Sequence, residues 1–98
     1  MIDYLKKCGI SNDTILKIQE NNDYSFVCDL SCNAYECEKI ISYMSYIGIT
    51  VIDDILINYI DVFLQTYDKF LEKIEKKNIP DFVKSVNKDY NYINNLFE

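Results

Sequence analysis

The sequence predicts an all-α fold: a compact bundle of about five helices ending in an antiparallel helical hairpin. Three observations carry this expectation. Turn-forming residues are scarce, with 2 Gly and 1 Pro in 98 residues, whereas an all-β domain needs many. Apolar residues make up 49% of the chain and recur at three- and four-residue spacing over most of it. Gly9, Gly48 and Pro80 stand where those periodic runs stop or start. The length suits one domain.

In chain order, Asp3–Lys7 reads as a short helix stopped by Gly9. Ser11 is placed to cap a helix from Asn12 to Glu20, with Ile15, Leu16 and Ile18 turned inward. Asn21, Asn22 and Asp23 end it. Residues 24–31 alternate Tyr24, Phe26, Cys28 and Leu30 with polar Ser25 and Asp29, broken by Val27. The alternation is that of an extended segment, but no partner strand exists. A buried extended connector or a helical turn is expected there.

Ser31 or Asn33 can cap the next helix, with Glu36 at the capping-box position. Ala34, Cys37, Ile40, Ile41, Met44 and Ile47 form its apolar stripe, and Gly48 closes it. Thr50 is placed to cap a further helix carrying Ile52, Ile55, Leu56 and Tyr59. Two regular runs follow: Ile60, Phe63, Leu64, Tyr67, Phe70, Leu71 and Ile74, then Ile79, Phe82, Val83, Val86, Tyr90, Ile93 and Leu96. The short break between them, with Pro80 in a first helical turn, predicts the antiparallel hairpin.

Tyr4–Ser11 and Tyr43–Thr50 share an order: helix end, Gly-Ile, then a hydroxyl residue opening a helix that carries Ile15-Leu16 or Ile55-Leu56. The glycines are 39 residues apart. This half of the chain resembles the helix–Gly-Ile–helix repeat of the mitochondrial transcription termination factor (mTERF) family. The resemblance implies stacked helical repeats and nucleic-acid binding, but the basic concave face of that family is missing.

Composition closes several functional classes. There is no Arg, His or Trp; all 10 basic residues are Lys, and the net charge is −6. Lacking His, the chain lacks the commonest general base and metal ligand. Lacking Arg, it lacks the side chain best shaped for phosphate and guanine. Between Ile18 and Asp68 nine acids face only Lys39, so the acidity belongs to the middle of the chain. Cys8, Cys28, Cys32 and Cys37 do not form two separate thiol pairs of metal-knuckle spacing, and free, mostly buried thiols are expected. Gly9–Ile18 also resembles the second helix of a helix-turn-helix, presenting Ser11, Asn12, Thr14, Lys17 and Gln19, yet without the basic face DNA requires. Asp53 and Asp54, with Asp61 two turns on, suit helix N-terminal charge better than acid catalysis.

The 9 tyrosines weigh more. Tyr43 and Tyr46 are expected beside the core stripe, as is Tyr92 near the end of the chain. Together these features predict a non-enzymatic protein-interaction module without cofactor or metal. Its acidic binding face would comprise Glu36, Glu38, Tyr43, Tyr46, Asp53, Asp54 and Asp61. A basic protein is the expected partner, as for an inhibitor or DNA mimic from a phage or mobile element, with a homodimer as a compatible state. A nucleic-acid-binding helical regulator is the alternative. No 20-residue apolar stretch or basic-then-apolar leader is present, which predicts a cytoplasmic protein off the membrane.

Overall fold

Gly9 and Gly48 each adopt a left-handed conformation, with φ of 86° and 100°. A Cβ disfavours that region, so these two sites favour glycine. At each, the following isoleucine N–H donates back into the preceding helix, Ile10 to Leu5 and Ile49 to Met44. The two helix ends are thus closed by the same Schellman-type device.

The computed structural model describes residues 1–97, and every regular element among them is helical. The α-helices are α1 (Asn12–Asn21), α2 (Tyr24–Cys32), α3 (Ala34–Ile47), α4 (Ile52–Asn58), α5 (Tyr67–Ile74) and α6 (Ile79–Lys88). Three 3-10 segments, Asp3–Cys8, Ile60–Phe63 and Tyr90–Phe97, complete the set. The all-α class holds, while the number of elements exceeds the five expected. No helix among the described residues is long and apolar enough to cross a membrane.

Several expected boundaries hold. Ser11 Oγ accepts from Thr14 N at the start of α1, and Pro80 lies in the first turn of α6. Other boundaries move for identifiable reasons. Residues 24–31 belong to a full helix, α2, rather than an extended connector or a single turn. Val27, which broke the alternation, is buried with Leu30 one turn on, while Tyr24 and Phe26 point outward. Leu16 is 56% exposed and leaves the inward face of α1 to Ile15 and Ile18.

Each of the two long C-terminal runs is broken. The first splits at Leu64–Thr66. Asn33 Nδ2 donates to the carbonyls of Phe63 and Gln65 at 2.8 and 3.1 Å, and Thr66 Oγ1 opens α5 by accepting from Lys69 N. Acceptors that a continuous helix would fill internally are filled from α3's start instead. The second splits at Asp89, whose Oδ1 accepts from the backbone and side chain of Asn91. The expected hairpin gives way accordingly: α5 and α6 pack chiefly on α3 and on the last 3-10 segment rather than on each other.

α3 is the central element. Cys37, Ile40, Ile41 and Met44 bury its inner face in one continuous core with Leu5, Leu30, Phe63, Phe70 and Val86. The core is sealed by polar contacts: Tyr4 Oη donates to Leu30 O at 2.8 Å, and Asn22 Nδ2 to Ile18 O and Ile57 O. Among the described residues no buried side-chain nitrogen or oxygen lacks a partner.

Candidate functional site: a tyrosine-lined groove between α3 and α5

The outer face of α3 carries Tyr35, Lys39, Ser42 and Tyr46 at successive spacings of four, three and four residues, which set them along one side of the helix. Tyr67, Leu71 and Glu75 follow at four-residue spacing along α5 and its C-cap. These two ridges, with Glu38 and Tyr43, line an open groove of about 690 Å³. That is the volume of a typical ligand cleft; four of its nine lining residues are tyrosines and three, Glu38, Lys39 and Glu75, are charged.

Tyr43 forms the floor. Its ring meets Tyr67 edge-on at 6.3 Å and Phe70 at 5.9 Å between centroids. Phe70 is fully buried, so the groove is braced directly by the core. Tyr35 and Tyr46 stand on the rim, 68% and 89% exposed. Exposure on this scale leaves most of their ring surface without an intramolecular partner.

One cation enters the groove. Lys39 Nζ lies 4.1 Å from the Tyr35 ring centroid and 5.8 Å from that of Tyr67, within cation–π range of both. A hydrogen bond with Tyr35 raises the Lys39 pKa, against slight desolvation, and the fields of Glu36 and Asp68 add to the rise. Burial raises the Tyr43 pKa, followed by the charge of Glu75. The nearby carboxylates, Glu36 and Asp68 for Lys39 and Glu75 for Tyr43, contribute to these shifts behind the hydrogen bond and the burial.

The expected acidic face is divided by the fold. Glu38, Tyr43 and Tyr46 line the groove. Glu36 does not: its Oε2 accepts from Tyr67 N at 3.2 Å and caps α5 rather than its own helix. Asp53 Oδ2 accepts from Thr14 Oγ1 at 2.9 Å, tying α4 to α1. Asp54 is exposed on the first turn of α4. Asp61 lines a separate cleft with Asn22, Phe26, Tyr59 and Asn94. Thr50 does not cap α4; its N–H donates to Asn87 Oδ1 at 2.8 Å. Tyr35, Lys39, Tyr67 and Glu75, absent from the expected face, complete the groove. Their signal was the outward four-residue ridge on each helix, which an apolar count passes over because tyrosine reads as core.

No protein-family model, curated protein or solved structure matches the chain.

Other candidate constellations carry less. Thr14, expected on the outer face of a helix-turn-helix, is buried and committed to Asp53, and Lys17 pairs with Asp13 at 3.3 Å. The four thiols are free, but only Cys37 is fully buried; Cys8 and Cys28 are partly buried and Cys32 is exposed. Among the described residues no three metal-ligating side chains converge. Burial pushes the Cys37 thiol up to about 12, even though a Tyr4 hydrogen bond opposes the shift. That is the state of an unreactive core thiol. Cys8 is likewise raised, by burial and then by Glu38. It lines a smaller cleft with Lys7, Ile41 and Ser45, on the other side of the Ser42–Tyr46 ridge.

Proposed function

We propose that this chain is a protein-interaction module whose α3–α5 groove receives a basic segment of a partner protein. The observation that carries the reading is the union, in one groove, of four tyrosines with Glu38 and Glu75. Tyrosine supplies large, stiff, amphipathic contact area at low entropic cost, and such residues dominate binding energy at protein interfaces. Two carboxylates at the edge, in a chain of net charge −6, select for positive partners and speed encounter. Opposite charge also favours a foreign partner over a second copy of the chain, whose equal acidity would repel. An inhibitor or mimic that occupies the basic surface of a nucleic-acid-binding protein is one role consistent with this chemistry. The reading is narrower than an acidic face spread over Glu36, Asp53, Asp54 and Asp61, since Glu36 and Asp53 are held by internal hydrogen bonds.

The test is binding to an array of lysine- and arginine-rich peptides, with variants scored at two ionic strengths. Glu38→Gln, Glu75→Gln and Tyr46→Ala are expected to weaken binding, and Asp54→Asn to leave it nearly unchanged. Affinity is expected to fall as salt rises from about 0.01 to about 0.15 M, because the screening length shrinks from ~30 to ~8 Å. An Asp54→Asn effect equal to that of the groove variants, or no binding to any basic peptide, removes the proposal.

A further inference from the structure

Lys39 is the only cation between Ile18 and Asp68, and it lies against the groove's tyrosines. We propose that Lys39 occupies, in cis, the cation position of this groove, and that an arginine guanidinium from the partner takes that position by displacing it. The inference rests on the groove being a binding site for a basic segment, and adds which chemical group it reads and what holds its place when empty.

The geometry supports this in three steps. First, the position is set by tertiary structure. Tyr35 and Lys39 are neighbours on one helix, but Tyr67 comes from α5, so only the folded α3–α5 pair brings two rings around one ammonium. Second, the lysine is not fixed there by a carboxylate. Among the described residues Lys39 has no ion pair, and it is exposed to solvent. Glu36 and Asp68 attract it only behind Tyr35, and it pairs with neither. Third, guanidinium suits the vacated position better than ammonium. It is planar, stacks on tyrosine, is weakly hydrated and presents five donors, in a groove whose lining carries two carboxylates, Glu38 and Glu75. The chain itself contains no Arg, so no internal group competes on those terms.

The experiment is an NMR titration of the isotope-labelled full chain with a capped Gly-Arg-Gly-Arg-Gly peptide and its lysine counterpart. It uses wild type, Lys39→Gln and Lys84→Gln, the last removing an equal charge on α6 outside the groove. In the free protein the Lys39 ε-methylene protons are expected upfield, under the ring current of Tyr35, and to return toward their ordinary position as the arginine peptide is added. Lys39→Gln is expected to bind the arginine peptide about two- to fivefold more tightly than Lys84→Gln, the size of one exposed cation–π contact. The arginine peptide is expected to bind wild type more tightly than the lysine peptide. Equal affinities for Lys39→Gln and Lys84→Gln, with Tyr43 and Tyr67 resonances still shifting, overturn the displacement while leaving the groove reading intact. Equal affinities of the two peptides overturn the preference for guanidinium. If neither peptide shifts the groove resonances in any variant, both the displacement and the groove reading fall.

Discussion

α3 carries two stripes of the same helical period, and they have opposite fates. The inner one, Cys37, Ile40, Ile41 and Met44, is wholly buried. The outer one, Tyr35, Lys39, Ser42 and Tyr46, is exposed. Both satisfy the spacing that places residues on one side of a helix. What separates them is chemistry at the side-chain tip: thioether, thiol and aliphatic groups on one side, phenol, hydroxyl and ammonium on the other. The inner stripe is determined by what the rest of the chain packs on it. The outer stripe stays exposed to solvent. If this division is right, substitutions along α3 should fall into two classes, with large effects on stability inside and effects confined to binding outside.

The largest effect is expected at Met44, which is fully buried at the centre of the core. Met44→Ala should cost ~2–5 kcal/mol, through lost transfer energy and the cavity left behind. Chemical denaturation followed by helical circular dichroism measures it. A loss below ~1 kcal/mol would mean that the inner stripe is not the tightly packed side.

Next in size is an alkaline weakness centred on Cys37. Its thiol is pushed up to about 12 from 9.0, chiefly by burial, so the folded state holds the proton more tightly than the unfolded chain does. The sign follows from linkage. The contribution is fully present below pH 9 and is lost as pH rises through the folded value. Between pH 9 and pH 10.5 the loss from this one group approaches about 2 kcal/mol. The raised phenol of Tyr4, held by burial and by Cys37, acts in the same direction at still higher pH. Denaturation midpoints at pH 8 and pH 10.5 should differ more for wild type than for Cys37→Ala. An unchanged difference would place the alkaline lability elsewhere.

Tyr43 lies between the two stripes and sharpens the line between them. It is partly buried, meets Phe70 and Tyr67 by ring edges, and also lines the groove. Tyr43→Leu keeps much of the apolar area but removes two aromatic contacts, each worth ~0.5–1.5 kcal/mol beyond burial. A stability loss of about 1–2 kcal/mol together with weaker peptide binding is expected. Loss of one property without the other would move Tyr43 wholly to one side.

The same contrast accounts for what could be read in the sequence. The inner stripe, the two glycine ends, the Ser11 cap and the Pro80 start were legible because each is local chemistry at a fixed spacing. α2 was not, because its two buried residues, Val27 and Leu30, give a weaker pattern than its exposed Tyr24 and Phe26. Nor was the break after Phe63, because the donor that makes it possible, Asn33, is 30 residues away. The groove was half legible. Tyr43, Tyr46 and Glu38 could be found from α3 alone, whereas Tyr67 and Glu75 join them only once α5 is laid across. The internal contacts of Glu36 and Asp53 were not legible, because a carboxylate near a helix start reads the same whether it faces solvent, caps a neighbouring helix as Glu36 does, or accepts from a distant hydroxyl as Asp53 does.

The smallest effect on stability, and the one that separates the two stripes most cleanly, is expected at Tyr46. At 89% exposure it has almost no packing to lose, so Tyr46→Ala should shift stability by no more than ~0.5 kcal/mol. Yet it forms the ridge between the tyrosine groove and the Cys8 cleft, where a bound segment would close over it. Tyrosine is one of the residue types in which binding energy concentrates when a partner covers it fully. Tyr46→Ala should therefore weaken binding of a basic peptide while leaving the denaturation curve in place. If its binding is intact as well, Tyr46 belongs to neither the core nor the interface, and the outer stripe shortens to Tyr35, Lys39 and Ser42. If instead the variant is destabilised by more than ~1 kcal/mol, the rim is part of the packed structure and the division drawn along α3 fails.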